Sequence, residues 1–182
     1  MEEDVSAPEA MLDFITVRDH RLMRKVNRWS APKWIRLWMI CATRGGDGWI
    51  WYAMALTVWL LGGEQGPRAV AACLLPVAVG IACFLALKRA IGRRQPCQIV
   101  KHCWSTLLPH DQFSFPSGHT ITAFAVTVPL GCFYPELQAG LGFIALSIAS
   151  SRILLGMHFL SDVVAGALLG STLGYASFAV FV

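Results

Sequence analysis

Charged side chains are scarce in this chain of 182 residues. Asp, Glu, Lys and Arg together make up only 14% of it, whereas 55% is hydrophobic. Soluble domains carry about 25% charged residues, so the deficit excludes an ordinary soluble domain and indicates a membrane protein. The basic residues are also unevenly spread, because seven of the fifteen precede residue 37 and five more lie between residues 88 and 101.

Several other signals are missing. The N-terminus opens with the acidic MEED and lacks a basic flank followed by an apolar core, so no secretory signal peptide is expected. The six cysteines include no CxxC pair and no His/Cys cluster with zinc spacing. Cys97 and Cys103 share one polar segment, where they either form a disulfide in an oxidising compartment or stay free thiols. No nucleic-acid partner is expected, and the sequence identifies no protein partner.

Apolar runs separated by short polar breaks make up most of the chain. Residues 1–30 are predicted to form a tail and an amphipathic helix that lies on the membrane surface or packs on other protein. Residues 31–182 are predicted to form an all-α, integral-membrane bundle of about six transmembrane helices. A span needs about 20 apolar residues, so the runs that start at Trp34, Trp49 and Ile121 are short. Whether the first of them crosses the membrane stays open.

The positions of the basic residues bear on orientation. If the basic N-terminus lies inside, six spans place the polar segment 88–114 outside. The positive-inside rule favours this arrangement for the N-terminal tail and opposes it for the segment after Lys88. We therefore expect a protein of the bacterial cytoplasmic membrane whose polar clusters face the extracytoplasmic side.

The last apolar run contains three regularly spaced glycines, Gly166, Gly170 and Gly174. A spacing of four residues places all three on one face of a helix. Small residues on one face let a second helix approach closely. The sequence therefore predicts a tight helix–helix contact here, with no chemical role.

The stretch SRILLGMHFLSD, residues 151–162, carries three ionisable side chains among apolar ones. His158 and Asp162 are four residues apart, a spacing that on a helix places them on one face. A carboxylate on one ring nitrogen fixes the tautomer and leaves the other nitrogen free as a nucleophile or base. Arg152 suits an oxyanion such as phosphate. A purely structural trio that closes a helix turn is the alternative interpretation.

Two further polar clusters interrupt the apolar runs, FPSGHT at 115–120 and KRAIGRRQP at 88–96. In the first, Ser117 is a good N-cap, Gly118 permits close approach of a ligand, and the helix N-terminus is an anion site. His119 would then donate a proton to a leaving group. In the second, Lys88 begins a basic flank, and we expect two of its arginines, Arg89 and Arg93, to anchor the helix at the headgroups.

Together the three clusters resemble the signature of the type-2 phosphatidic acid phosphatase superfamily, membrane lipid phosphatases related to vanadium haloperoxidases. Its pattern is K-x6-R-P, then P-S-G-H, then S-R-x5-H-x3-D. The second motif is complete at residues 116–119 and the third is complete within 151–162. The first departs from the pattern, because Gln95 stands where the family has arginine. The motifs cover the chain from Lys88 onward.

The resemblance implies a mechanism through a phosphohistidine. His158 would attack phosphorus while Asp162 orients it, and His119 would act as general acid and then as general base. The phosphoryl oxygens would be held by five residues: Lys88, Ser117, Gly118, Arg152 and Gln95. No metal and no cofactor are expected, because no acidic cage for magnesium or zinc accompanies the motifs.

The implied substrate is a lipid phosphomonoester or diphosphate, of the polyprenyl diphosphate, phosphatidylglycerophosphate or phosphatidic acid type. Two alternatives stay open. The same residues would also serve a lipid phosphotransferase with an acceptor other than water. Because Gln95 replaces a charged donor with a neutral one, a non-catalytic phospholipid-binding protein is the other alternative.

Overall fold

A computed structural model describes residues 7–99 and 113–182, with side chains described from residue 13 onward. Cys103, one of the two cysteines considered for a disulfide, lies outside these residues. Within them the chain folds into eight α-helices and no β-strand, so the all-α class is confirmed. The helices are α1 (Ala7–Arg28), α2 (Lys33–Gly45), α3 (Trp49–Leu61), α4 (Gly66–Ile91), α5 (Pro96–Ile99), α6 (Gly118–Phe133), α7 (Gln138–Leu154) and α8 (Leu160–Phe181).

Five of these helices are the apolar elements of a membrane bundle. Helices α4, α7 and α8 are long and apolar enough to cross a membrane, and α3 and α6 are shorter apolar helices. Helices α3 and α6 have 13 and 16 residues. At 1.5 Å per residue they extend about 20 and 24 Å, less than the roughly 30 Å of the hydrocarbon core. The transmembrane class is confirmed, and the short lengths predicted at Trp49 and Ile121 are found.

The predicted glycine face of α8 packs against α6. A Cβ atom added at Gly166 would lie 2.9 Å from the carbonyl oxygen of Ser117, and one at Gly174 would lie 2.9 Å from Cδ of Pro129. Real Cβ atoms do not approach so closely, so only glycine permits this helix spacing. The contact also aligns the first turns of α6 and α8, since the Ser117 N–H donates to the Asp162 carbonyl at 3.2 Å.

The bundle has two distinct ends. At one end the Tyr134 hydroxyl donates to the Gly62 carbonyl at 2.9 Å, which joins the α6–α7 turn to the α3–α4 turn. The opposite end, called the polar end below, contains the turns 46–48 and 155–159, the last turn of α4 and the first turn of α6. Helix α5 is attached to this end, because the Cys97 N–H donates to the Gly156 carbonyl at 3.0 Å.

Helix α1 packs on the polar end. Its residues Met23 and Val26 form a buried cluster with Phe159, the residue that precedes α8. On other faces of α1, Phe14 and Val17 are exposed. One face of α1 is therefore held by protein contacts, and the prediction that it also lies on the membrane surface stays a prediction.

Helix α2 ends at the polar end, and its first turn follows α1 closely. Only residues 29–32 separate it from α1, and four residues reach no more than about 14 Å. Near its other end, Thr43 bonds Arg152. We conclude that α2 does not cross the bundle. Five apolar helices then run the length of the bundle, and α1 lies at the same end of it as the polar clusters.

Candidate active site

A cavity of about 490 Å³ opens at the polar end. The α2–α3 turn, α4, the first turn of α6 and the segment 152–158 form its walls. Its charged or ionisable lining residues are Arg44, Asp47, His119, Arg152 and His158. Two motifs that are separate in the sequence thus face one space.

His158 is held in a single tautomer. It lies in the turn between α7 and α8 and is only 4% exposed. Its Nδ1 is 2.6 Å from the Ser114 carbonyl oxygen, and its Nε2 is 3.3 Å from Nη2 of Arg152. A carbonyl only accepts and a guanidinium only donates, so the proton is on Nδ1 and the lone pair is on Nε2. Burial also lowers the pKa of His158, which favours the neutral ring.

Asp162 does not hold His158 in the way the spacing suggested. The two residues do not share a helix, because α8 begins at Leu160. The Asp162 Oδ2 atom is 3.8 Å from Nδ1 of His158, too far for a hydrogen bond, and instead accepts the Phe159 N–H at 2.8 Å. The Ser114 carbonyl accepts the hydrogen bond from the ring, and Asp162 contributes a buried negative charge beside the ring. Its orienting role stays a prediction, acting through the backbone at Phe159.

His119 pairs with a residue that the sequence did not single out. It lies in the first turn of α6, and its Nε2 is 2.8 Å from Oδ1 of Asp47. Asp47 belongs to the turn between α2 and α3 and also approaches Arg44, at 3.7 Å. The carboxylate accepts from the ring and is well placed to stabilise an imidazolium. This suits His119 to proton transfer more than to nucleophilic attack.

Arg152 and Gly118 line the part of the cavity that is suited to an anion. Arg152 is 5% exposed, and its Nη1 donates to the Thr43 hydroxyl at 2.6 Å. Gly118 opens α6, and a Cβ there would lie 3.2 Å from the Phe84 ring, so glycine permits this helix start. Ser117 is the N-cap by position, but its hydroxyl accepts from Thr120 at 2.9 Å and does not line the cavity.

Two other predicted phosphate ligands do not line the cavity either. The Lys88 ammonium lies 4.7 Å from the centroid of the Phe84 ring, which is itself part of the cavity wall. Gln95 is fully buried, its Oε1 is 3.6 Å from the Cys97 sulfur, and its Nε2 has no hydrogen-bond partner among the described residues. Their phosphate-binding roles stay predictions.

The prediction that Arg93 anchors the helix at the headgroups is wrong. Its Nη1 bonds Asp162 at 2.7 Å and its Nη2 bonds Asp19 at 2.8 Å, so the guanidinium points inward. The partner of Arg93 in α1 is Asp19, a buried acid in an amphipathic helix. The sequence did not distinguish it from the exposed charged residues beside it. Among the described residues, no group of three or more His, Cys, Asp and Glu side chains is arranged to hold a metal ion.

The fold of apolar helices and the cavity that two histidines and an arginine share define the class of this membrane protein. A comparison with protein families identifies the same class. Residues 68–182 match the model of the PAP2 superfamily. This match covers more than half of the chain, which therefore belongs to the PAP2 superfamily.

Individual relatives are similar to parts of the chain. The lipid A 1-phosphatase of Rhizobium johnstonii is 34% identical over 89 residues, which cover 47% of this chain and 36% of that protein. The match thus spans little more than a third of the relative's own length. The undecaprenyl-diphosphatase of Sulfolobus acidocaldarius is 25% identical over 140 residues, covering 76% of this chain and 67% of that protein.

A solved structure shows the same fold. The crystal structure of LpxE from Aquifex aeolicus superposes with a TM-score of 0.77 at 24% identity, covering 87% of this chain and 93% of that one. At this identity the likeness concerns the fold alone. It includes much of the region before residue 68, where the family model does not match.

Proposed function

We propose that this protein is an integral-membrane phosphatase that hydrolyses a lipid phosphomonoester or diphosphate through a phosphohistidine on His158. The observation that carries the proposal is the state of that ring. Its Nδ1–H donates to the Ser114 carbonyl, and its Nε2 lone pair accepts from Arg152 at the wall of a cavity that His119 also lines. A neutral, oriented nucleophile beside an oxyanion donor is the arrangement that attack on phosphorus requires.

In the first step, the Nε2 lone pair of His158 attacks phosphorus and the bond from phosphorus to the lipid oxygen breaks. The Arg152 guanidinium, which donates to Nε2 in the structure, turns to the phosphoryl oxygens as the new bond forms. His119, protonated against Asp47, gives its proton to the departing oxygen. The positive charge that develops on His158 lies beside the Asp162 carboxylate.

In the second step, His119 takes a proton from water, and the oxygen attacks phosphorus. The bond between phosphorus and Nε2 of His158 breaks, and inorganic phosphate leaves. In this proposal the transferred proton is the one on Nδ1 of His119, because the Nε2–H bond to Asp47 then stays in place and holds the ring through both steps. The Gly118 N–H at the start of α6 supports the phosphoryl oxygens in this proposal.

A second, apolar cavity supports a lipid substrate. It has a volume of about 320 Å³ and lies between α3, α4 and α6. Four residues line both cavities, namely Gly46, Asp47, Ile81 and Thr122. A phosphate in the polar cavity would therefore place an attached hydrocarbon chain at the mouth of an apolar one. Because the undecaprenyl-diphosphatase relative matches over two thirds of its length, a polyprenyl diphosphate is the first substrate to assay.

The proposed location is the bacterial cytoplasmic membrane. The extracytoplasmic orientation predicted from the sequence rested on six crossings, and five crossings remove that basis. Because the basic α1 and the basic flank after Lys88 lie on the same side of the membrane in this arrangement, the positive-inside rule favours the same orientation for both. Reporter fusions test this topology: an N-terminal tag and a labelled polar end should be reached from one side and the C-terminus from the other. Labelling of both termini from the same side would contradict five crossings.

The test of function is phosphate release by the purified protein in detergent. The substrates are undecaprenyl diphosphate, phosphatidylglycerophosphate, phosphatidic acid and a lipid A 1-phosphate, each assayed with magnesium and with EDTA. We expect release from at least one lipid in EDTA, and loss of about 10⁴-fold or more in His158→Ala. Acid-labile and base-stable labelling of the wild type, absent from the variant, would support the phosphohistidine.

Other outcomes identify the alternatives. Full activity of His158→Ala, or a strict need for metal, would defeat the mechanism. Product formed only when a second lipid or sugar is supplied would indicate a phosphotransferase. Saturable binding of every lipid phosphate without phosphate release would indicate a binding protein.

A further inference from the structure

Asp19 is a buried carboxylate in a helix outside the region that the family model matches. It lies on α1 and is only 4% exposed. It accepts hydrogen bonds from Nη2 of Arg93 at 2.8 Å, from the Ser161 N–H at 3.2 Å and from the Ser161 hydroxyl. These hydrogen bonds enclose the Asp19 carboxylate in protein, whereas Asp13 on the same helix is exposed.

Arg93 joins Asp19 to the carboxylate behind the proposed nucleophile. Its Nη1 donates to Asp162 at 2.7 Å and to the Ser161 hydroxyl at 2.7 Å, while Nη2 binds Asp19. The guanidinium also lies 4.1 Å from the centroid of the Phe159 ring. Two carboxylates and an aromatic face thus fix one planar group, which leaves it little freedom to move.

The network ends at the backbone next to His158. Asp162 uses one oxygen for Arg93 and the other for the Phe159 N–H, at 2.8 Å. Phe159 directly follows His158, so the position of Asp162 determines the position of the turn that presents the imidazole. A displacement of Arg93 would reach His158 through two hydrogen bonds and one peptide unit.

The charges in this network do not cancel. Asp19 and Asp162 share the single positive charge of Arg93, which leaves one net negative charge near the ring. Nδ1 of His158 is 3.8 Å from Asp162. Without Asp19, the Arg93–Asp162 pair would be neutral, and it would stabilise an imidazolium less well.

We propose that Asp19 is a positioning residue for His158, acting through Arg93 and Asp162, so that docking of α1 on the polar end is required for full turnover. The inference rests on the proposed function, because it assigns Asp19 to the step in which His158 gains positive charge. It extends the catalytic apparatus to a helix that carries none of the three motifs.

The test is a set of variants assayed for phosphate release against the wild type. Asp19→Asn keeps the shape and removes the charge, Arg93→Gln removes the shared cation, and Asp13→Asn is the matched control on the same helix. We expect Asp19→Asn to lower kcat about tenfold with KM within about twofold, and Asp13→Asn to match the wild type. Asp19→Glu should recover part of the loss. The double variant should be no slower than Arg93→Gln alone, because Asp19 acts through Arg93.

A pH profile separates a charge effect from a loss of folding. The acidic limb of kcat/KM reports the neutral form of His158. Arg152, Asp162 and Arg93 lie on its own side of the cavity, and His119, Asp47 and Arg44 lie across it. Removing the negative charge of Asp19 disfavours the imidazolium and should move the limb to lower pH. Removing the positive charge of Arg93 should move it to higher pH. Opposite shifts are not expected from a general loosening of the fold.

Two results would overturn the inference. One is an Asp19→Asn variant with the kcat and pH limb of the wild type. The other is a Ser161→Ala variant as slow as Asp19→Asn with both limbs unmoved, since Ser161→Ala weakens α1 docking without changing the charge. His158→Ala in the same assay separates these failures from failure of the function: if it too leaves phosphate release unchanged, the mechanism itself is wrong.

Discussion

The residues before position 68 and those after it contribute different kinds of group to the polar end. The later region, which the family model matches, supplies the side chains assigned to chemistry, His119, Arg152 and His158. The earlier region supplies Asp47, which accepts a hydrogen bond from His119, and Thr43, which accepts one from Arg152. The motif residues at the polar end therefore depend on partners that no motif contains.

The two regions also differ in how their side chains are held. Arg152 and His158 are almost fully buried, and neighbours fix their hydrogen-bonding atoms. Asp47 is about half exposed, with a side-chain exposure of 45%. Changes in the later region should therefore abolish chemistry, whereas changes in the earlier region should weaken it by graded amounts. Three variants at the polar end test that ordering in activity, and a glycine variant tests the packing of the later region.

Arg152→Ala should cost the most. It removes the charged fork that faces Nε2 of His158, and loss of one preorganised oxyanion donor costs about 10²–10³ in rate. We expect kcat/KM for lipid phosphate to fall about 10³-fold, with Arg152→Lys intermediate because it keeps the charge without the fork. The matched control is Arg68→Ala, an exposed arginine at the opposite end of the bundle. Activity of Arg152→Ala within tenfold of the wild type would remove Arg152 from the proposed mechanism.

Asp47→Asn should have the next largest effect. An amide still contacts His119 but cannot stabilise its imidazolium, and general acid–base catalysis contributes about 10²–10⁴ in rate. We expect kcat to fall about 30-fold, less than for loss of the histidine, with KM little changed. Glu64→Gln, an exposed acid in the α3–α4 turn, is the control. If steady-state kinetics showed a change in KM alone, Asp47 would serve substrate binding and not proton transfer.

The sequence predicted the motif residues better than their surroundings. A period of four placed the α8 glycines on one face, and the start of α6 followed from Ser117 and Gly118, because both signals are local. The partners of the histidines are not local. Asp47 is 72 residues from His119, and Asp19 is 142 residues from Ser161.

The errors have the same origin. The spacing of His158 and Asp162 suggested one helix face, but a turn of the chain at Gly156, with a φ of 69°, ends the helical path before the histidine. The backbone carbonyl of Ser114 therefore took the place expected for the carboxylate. Carbonyls are present at every residue, so no sequence pattern could have selected this one. The basic flank likewise gave no sign that Arg93 alone would turn inward.

Gly166→Ala should reduce stability more than it reduces the rate of chemistry. Its Cβ would approach the Ser117 carbonyl and push α8 away from α6, and overpacking of this kind costs about 1–3 kcal/mol. We expect the melting temperature in detergent to fall by about 5 °C. Gly140→Ala on α7 is the control, since a Cβ there meets nothing within 4 Å. An unchanged melting temperature for Gly166→Ala would mean that the α6–α8 contact is looser than described.

Thr43→Val should have the smallest effect on activity. The Thr43 hydroxyl accepts one of the hydrogen bonds from Arg152, and valine keeps the shape without the acceptor. Because His158 and the incoming phosphate also bind the guanidinium, we expect kcat/KM to fall only about threefold to tenfold. Thr43→Ser, which keeps the hydroxyl, should restore most of the loss. If serine failed to restore activity, the methyl group of Thr43 and not its oxygen would position Arg152. The region before residue 68 would then act on the arginine through packing, whereas it acts on His119 through charge.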